Sequence, residues 1–160
     1  KTTFPNAIYW SDEDHWNWAV NPNAREKASF LKENILPIQE SGQLQFVNEY
    51  TQIIPELTFA LAHGHTEGMM IPHIEYKGKT IVFMADLLPS PTHIPIAWVM
   101  GYDVRPLDTV REKESFLKMA VDNDYILFYE HDAKTQASKV VATNRGNYKA
   151  GEMGDLVDFL

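Results

Sequence analysis

Three short apolar runs, each closing on a histidine or an aspartate, constrain this chain more than any other feature. They read LTFALAHGH, ending on His65, TIVFMAD, ending on Asp86, and YILFYEH, ending on His131. Their length and their branched and aromatic content suit strands of a buried sheet. Strand ends along one edge of a sheet converge in space, and irregular backbone there aims side chains into a shared cleft. Imidazole and carboxylate together suit zinc, iron or manganese. Taken singly, each residue has a plainer reading. A lone loop histidine is usually solvated, and an aspartate after a strand usually caps the next turn. The joint case rests on all three, and spacing alone does not settle it.

The stretch FALAHGHTEGMM, residues 59–70, carries a second histidine, His63. Residues i and i+2 of an extended segment face the same way, so His63 and His65 can reach one ion. The competing reading makes His63 only a neighbour that supports His65 or meets solvent, and that reading is favoured. His93 follows the Asp86 strand closely enough to be a candidate pocket residue. His73, inside a strand, is read as structural, and His15 as a packing or surface residue.

The remaining punctuation predicts a mixed domain. Ser11 to Asp14 resembles a helix N-cap, with Trp16, Trp18 and Ala19 facing inward. Ala24, Ala28, Leu31 and Ile35 recur at helical spacing, and Pro37 ends that helix. Leu44, Phe46 and Ile53-Ile54 suggest short strands. From residue 57 the period shifts to strands, with Lys77-Gly78-Lys79 as a hairpin turn. Residues 89–106 contain Pro89, Pro91, Pro95 and Pro106 and read as a long ordered loop, a common home for function. Thr109 and Glu112 fit a capping box before a helix that buries Phe116, Leu117, Ala120 and Val121. A strand over 138–143 and a short helix within 152–160 complete the order. The expected fold class is α/β (α+β), a mixed sheet with flanking helices, with residues 1–160 forming a single domain or half-domain.

Charge narrows the partners. With 22 acidic and 14 basic side chains the formal net charge is −8, which argues against nucleic acid or an anionic membrane surface as partner. No cysteine is present, so disulfides, thiolate nucleophiles and cysteine zinc sites are excluded. No apolar run approaches the roughly 20 residues of a spanning helix. A soluble protein is expected, with cytoplasm and periplasm equally open. No G-x-S-x-G elbow, P-loop or G-x-G-x-x-G occurs. The acidic pairs in EKESF and SDEDH are read as solvated helix faces. The chain begins Lys1-Thr2-Thr3, as though in the middle of something longer.

HGHTEGM around His65, IVFMADLLPS around Asp86 and ILFYEHD around His131 resemble, in order and separation, the later metal motifs of the metallo-β-lactamase-fold hydrolases. FPNAIYWSDEDHWNW and PIAWVMGYDVRPLDTVREKESFL are similar to the branch containing lactonases and organophosphate hydrolases. The resemblance runs from about Phe4 to Val141. It implies the C-terminal half of an αββα sandwich, with His65 on one metal, Asp86 bridging two, and His131 on the other. Two zinc ions are implied in the complete enzyme, with iron or manganese as alternatives, and no other cofactor. A metal-bound hydroxide would then attack an ester, lactone, amide or phosphoester of a small-molecule substrate. The family's earlier cluster, His-x-His-x-Asp-His, is absent: in HGHTEG, Gly68 stands where its last histidine would be. The expectation is therefore a half chain that is inactive alone, with or without metal, and prone to self-associate or to pair with the missing N-terminal half. The alternative is a degenerate, non-catalytic binding or assembly module of the same fold.

Overall fold

The computed structural model describes residues 1–48 and 51–160, which divide into two compact units, Lys1–Thr51 and Gln52–Leu160. In the first unit, β1 (Tyr9–Asp12) pairs in parallel with β2 (Leu44–Val47). Helix α1 (Glu13–Val20) starts where the Asp12 carboxylate accepts the His15 amide, and Glu13 and Asp14 suit the positive end of its dipole. Trp16 and Ala19 are buried, whereas Trp18 is half-buried and donates its ring N–H to Glu26.

The expected helix over 24–36 is displaced. Asn23 accepts the amides of Arg25 and Glu26 through its side chain, which holds that stretch as turns. Helix α2 runs instead over Lys32–Glu40 and contains Pro37, which was expected to end it. None of its residues is buried, so no apolar face enforces the earlier register.

The second unit is a six-stranded sheet in the order β3-β4-β5-β6-β7-β8. Its strands are β3 (Leu57–Ala62), β4 (Met69–Tyr76), β5 (Lys79–Phe83), β6 (Ile126–Phe128), β7 (Ala137–Ala142) and β8 (Tyr148–Gly154). Neighbours are antiparallel except β5 and β6, which run parallel. The β4–β5 hairpin closes through Lys77 and Gly78, both with positive φ, the conformation of a tight two-residue turn that matches sheet twist. Helix α3 (Pro106–Asp122) makes the crossover to β6 and packs Phe116, Leu117 and Ala120 against Ile71, Val82, Leu127 and Val140. Pro106 occupies the first turn, where its missing N–H costs nothing, so the helix begins ahead of the expected Thr109 cap. The tail is β8 followed by a short 3-10 helix over Leu156–Phe159, within the range where a short helix was expected. Among the described residues, no helix is long and apolar enough to cross a membrane.

Strand direction has a direct consequence. Two antiparallel steps make β3 point the same way as β5, and β6 is parallel to β5. The C-terminal ends of β3, β5 and β6 therefore lie on one edge of the sheet. His65, Asp86 and His131 follow those three ends.

Candidate metal centre

Asp86 sits three residues beyond β5. Ala85 before it adopts φ +42°, left-handed backbone that is unusual for a residue with a Cβ and that turns the chain sharply off the strand. The amide of Met84 donates to the Phe128 carbonyl and that of His131 to the Pro89 carbonyl. These two bonds stitch the Asp86 loop to the segment after β6.

The three sequence candidates meet at the Asp86 carboxylate. His65 Nε2 lies 3.3 Å from Oδ2, and His131 Nε2 lies 3.2 Å from Oδ1. Oδ1 is buried and has no hydrogen-bond partner among the described residues. A buried carboxylate oxygen left without a donor is costly unless something positive occupies the space in front of it. Nitrogen and oxygen donors around such an oxygen are the set that zinc takes. Glu130, which sequence reasoning passed over, adds a carboxylate: Asp86, Glu130 and His131 each place a ligand-competent atom within 4.8 Å of the others.

The two histidines flanking Asp86 differ in setting. The side chain of His65 is 18 % exposed, and its Nδ1 lies 2.9 Å from Oδ1 of Asp103. The loop carrying it is held throughout. Glu112 accepts the amides of both His63 and Gly64, Arg105 donates to the His63 carbonyl and to Glu67, and the amides of Val104 and Arg105 donate to the carbonyls of His65 and Gly64. Gly64 packs so tightly on the first turn of α3 that a Cβ there would overlap the backbone and hydroxyl of Thr109. The side chain of His131, by contrast, is 53 % exposed.

His63 pairs its Nδ1 with Glu67 at 2.5 Å. Burial opposes ionisation of Glu67, but hydrogen bonds from His63 and Arg105 and their charges hold its carboxyl below the ordinary value. His93 Nδ1 lies 2.9 Å from the Ser90 hydroxyl and the residue is half-buried; burial and then the Lys113 charge lower its pKa. His73 stacks edge-on to Phe116 and Tyr125 inside the fold, the structural role expected of it.

Sequence reasoning missed Asp103, Arg105, Glu112 and Lys113. The last two belong to the EKESF stretch read as solvated. Instead Glu112 binds loop amides, and Lys113 is fully buried, donating to the carbonyls of Pro95, Ile96 and Trp98. Burial lowers its pKa to about 8, against the opposing pull of Asp103. A run of prolines with few amide donors ahead of a lysine was the available signal: free carbonyls in such a loop need a donor from elsewhere.

Solved structures share this arrangement of strands and helices. A probable metal-dependent hydrolase from Staphylococcus aureus matches at TM-score 0.80 and 28% identity, over 93% of this chain and 54% of its own. The chain has the metallo-β-lactamase hydrolase fold. Hydrolase AbOPH of the beta lactamase superfamily matches at TM-score 0.76 and 19% identity, over 92% of this chain and 55% of its own. AidC, a dizinc quorum-quenching lactonase solved with N-hexanoyl-L-homoserine as product, matches at 0.75 and 20%, over 98% and 58%. The chain thus spans about half the length of these metallo-β-lactamase-fold structures. No protein-family model and no curated protein matches the sequence.

Proposed function

We propose that this chain is the C-terminal half of a metal-dependent hydrolase in which His65, Asp86 and His131 hold two divalent ions, zinc foremost, for cleavage of an ester, lactone or phosphoester. One observation carries the reading: two imidazole nitrogens face the two oxygens of a single carboxylate, and one of those oxygens is buried with no hydrogen-bond partner among the described residues. When bound there, zinc supplies a water of pKa about 7 and polarises the carbonyl or phosphoryl oxygen under attack. Asp86 would hold the ions through its two carboxylate oxygens, with His65 and His131 each contributing Nε2. The Arg105 and Glu112 contacts hold the His65 loop in place, so that little ordering remains to be done on binding. His93, neutral at pH 7 through its lowered pKa, is a hydrogen-bonding group for the pocket.

The matched structures are about twice as long, so the ligand set and the substrate walls need the other half of the fold. Alone, the chain is a weak zinc binder with little activity. Ile74 and Tyr76 on β4 are exposed, in keeping with a face that pairs with that half or with another copy. The test is zinc stoichiometry after dialysis of the chain combined with the other half of the fold, as wild type, His65→Ala and Asp86→Ala, joined to hydrolysis of lactones and aryl esters by the same combined protein. Zinc retention lost in both variants, and metal-dependent turnover in the combined protein, are expected. No retained zinc and no turnover would sink the hydrolase reading and favour a non-catalytic binding module of the same fold.

A further inference from the structure

We propose that Asp103 is the positioning residue of the site, holding the His65 proton on Nδ1 so that Nε2 turns a bare lone pair toward Asp86. The inference rests on the metal reading for its purpose but on separate atoms for its geometry. A carboxylate oxygen is an acceptor, and the 2.9 Å from His65 Nδ1 to Asp103 Oδ1 is shorter than the 3.3 Å from Nε2 to Asp86, so the geometry favours the ring proton on Nδ1. A neutral ring then has no proton at Nε2, the atom 3.3 Å from Asp86 Oδ2. In that tautomer Nε2 offers its lone pair to a cation held beside the Asp86 carboxylate.

The surroundings of Asp103 fit a part held in place for this purpose. Its side chain is 1 % exposed, and its second oxygen, Oδ2, has no hydrogen-bond partner among the described residues. A carboxylate kept only to tie down a loop would be expected to satisfy both oxygens. The backbone already ties that loop down. The Asp103 amide donates to Met100, and the next two amides donate to the carbonyls of His65 and Gly64, so backbone bonds hold the segment beside His65 without the Asp103 side chain. Lys113, whose ammonium is enclosed by three loop carbonyls, supplies the positive charge that acts on Asp103 from within the fold. The side chain of Asp103 is thus free to serve the imidazole. Carboxylates placed behind a metal-bound histidine raise its basicity and fix its ring.

The experiment uses the full chain and reads the tautomer before any metal is added. Nitrogen-15 NMR of the His65 ring, assigned with His65→Gln, should show the proton on Nδ1 in the metal-free wild type. Asp103→Leu should lose that form and lower zinc affinity about 10- to 100-fold, measured by competition with a chromophoric chelator. Asp103→Asn keeps an acceptor oxygen without the charge, and should restore the Nδ1–H form and most of the affinity. Circular dichroism checks that each variant is folded. If Asp103→Leu does not fold, the wild-type spectrum still decides, because a proton on Nε2 overturns the proposal. So does an Asp103→Leu protein that keeps both tautomer and affinity. A wild type that binds no zinc yet shows an Asp103-dependent tautomer would sink the metal reading while upholding the role of Asp103.

Discussion

His65 and His131 approach the same carboxylate from opposite sides, and the fold treats them differently. His65 sits on a loop gripped by Glu112, Arg105 and the first turn of α3, with its ring backed by Asp103. His131 is half in solvent, held to the Asp86 loop by one backbone bond to Pro89. One side of the centre is preorganised and the other is adaptable. On this contrast, loss of the side chain should cost stability at His65 and little at His131.

The largest way to break that contrast is Gly64→Ala. Its Cβ would meet backbone of Thr109, which cannot swing aside, so a loss of about 3 kcal/mol in urea unfolding is expected. An unchanged midpoint would mean that the grip on the loop is slack. Next comes Lys113→Met, which strips the donor from three loop carbonyls while keeping the volume; about 2 kcal/mol should be lost. A stability equal to wild type would show that the loop before Asp103 does not depend on its buried lysine.

A paired measurement sharpens the comparison itself. His65→Ala leaves the buried Asp103 carboxylate without its histidine and should cost about 1–2 kcal/mol in metal-free protein. His131→Ala, on an exposed side chain, should cost less than about 0.5 kcal/mol. Both should lose zinc. Equal thermal shifts in the two variants would erase the distinction drawn above.

The smallest effect is in pH. Burial lowers the pKa of His73 below 6.5, against the Ile71 carbonyl and Glu75, which favour its charged form. The unfolded chain therefore takes up this proton first, and stability present above pH 6.5 is lost as pH falls from 6.5 through the lower folded value. His93 shifts the same way and adds to the slope, whereas Glu67 acts only below about pH 4.5. His73→Phe should flatten part of the stability-versus-pH curve just under 6.5; an unaltered slope would remove His73 from the account.

The placement of His65, Asp86 and His131 in the candidate site could be read from the sequence because strand ends are local events. An apolar run that stops at His65, Asp86 or His131 announces both the strand and the residue beyond it, and the topology then gathers those ends on one edge. Asp103 and Lys113 were illegible for the opposite reason. Their partners lie 38 residues away for Asp103, and in carbonyls of a proline-rich loop for Lys113, which no side-chain pattern encodes. Glu112 misled because its place on α3 resembles a capping box, whereas the amides it accepts belong to a different loop. The stretch at 24–31 misled because helical spacing without a surface to bury against lost to the local hydrogen bonds of Asn23.

The single parallel pairing in the sheet also sets an order of assembly. Strands β3, β4 and β5 are joined by short connections, so His65 and Asp86 can be brought to one edge by local, fast steps. His131 arrives only once α3 has carried the chain across and β6 has docked beside β5, a closure that must span the whole proline-rich loop. The edge that gathers His65, Asp86 and His131 is thus completed by the longest closure in the sheet. Pulse-labelled hydrogen exchange reads this directly: amides of β4 should be protected before that of Ile126, and simultaneous protection would dismiss the order.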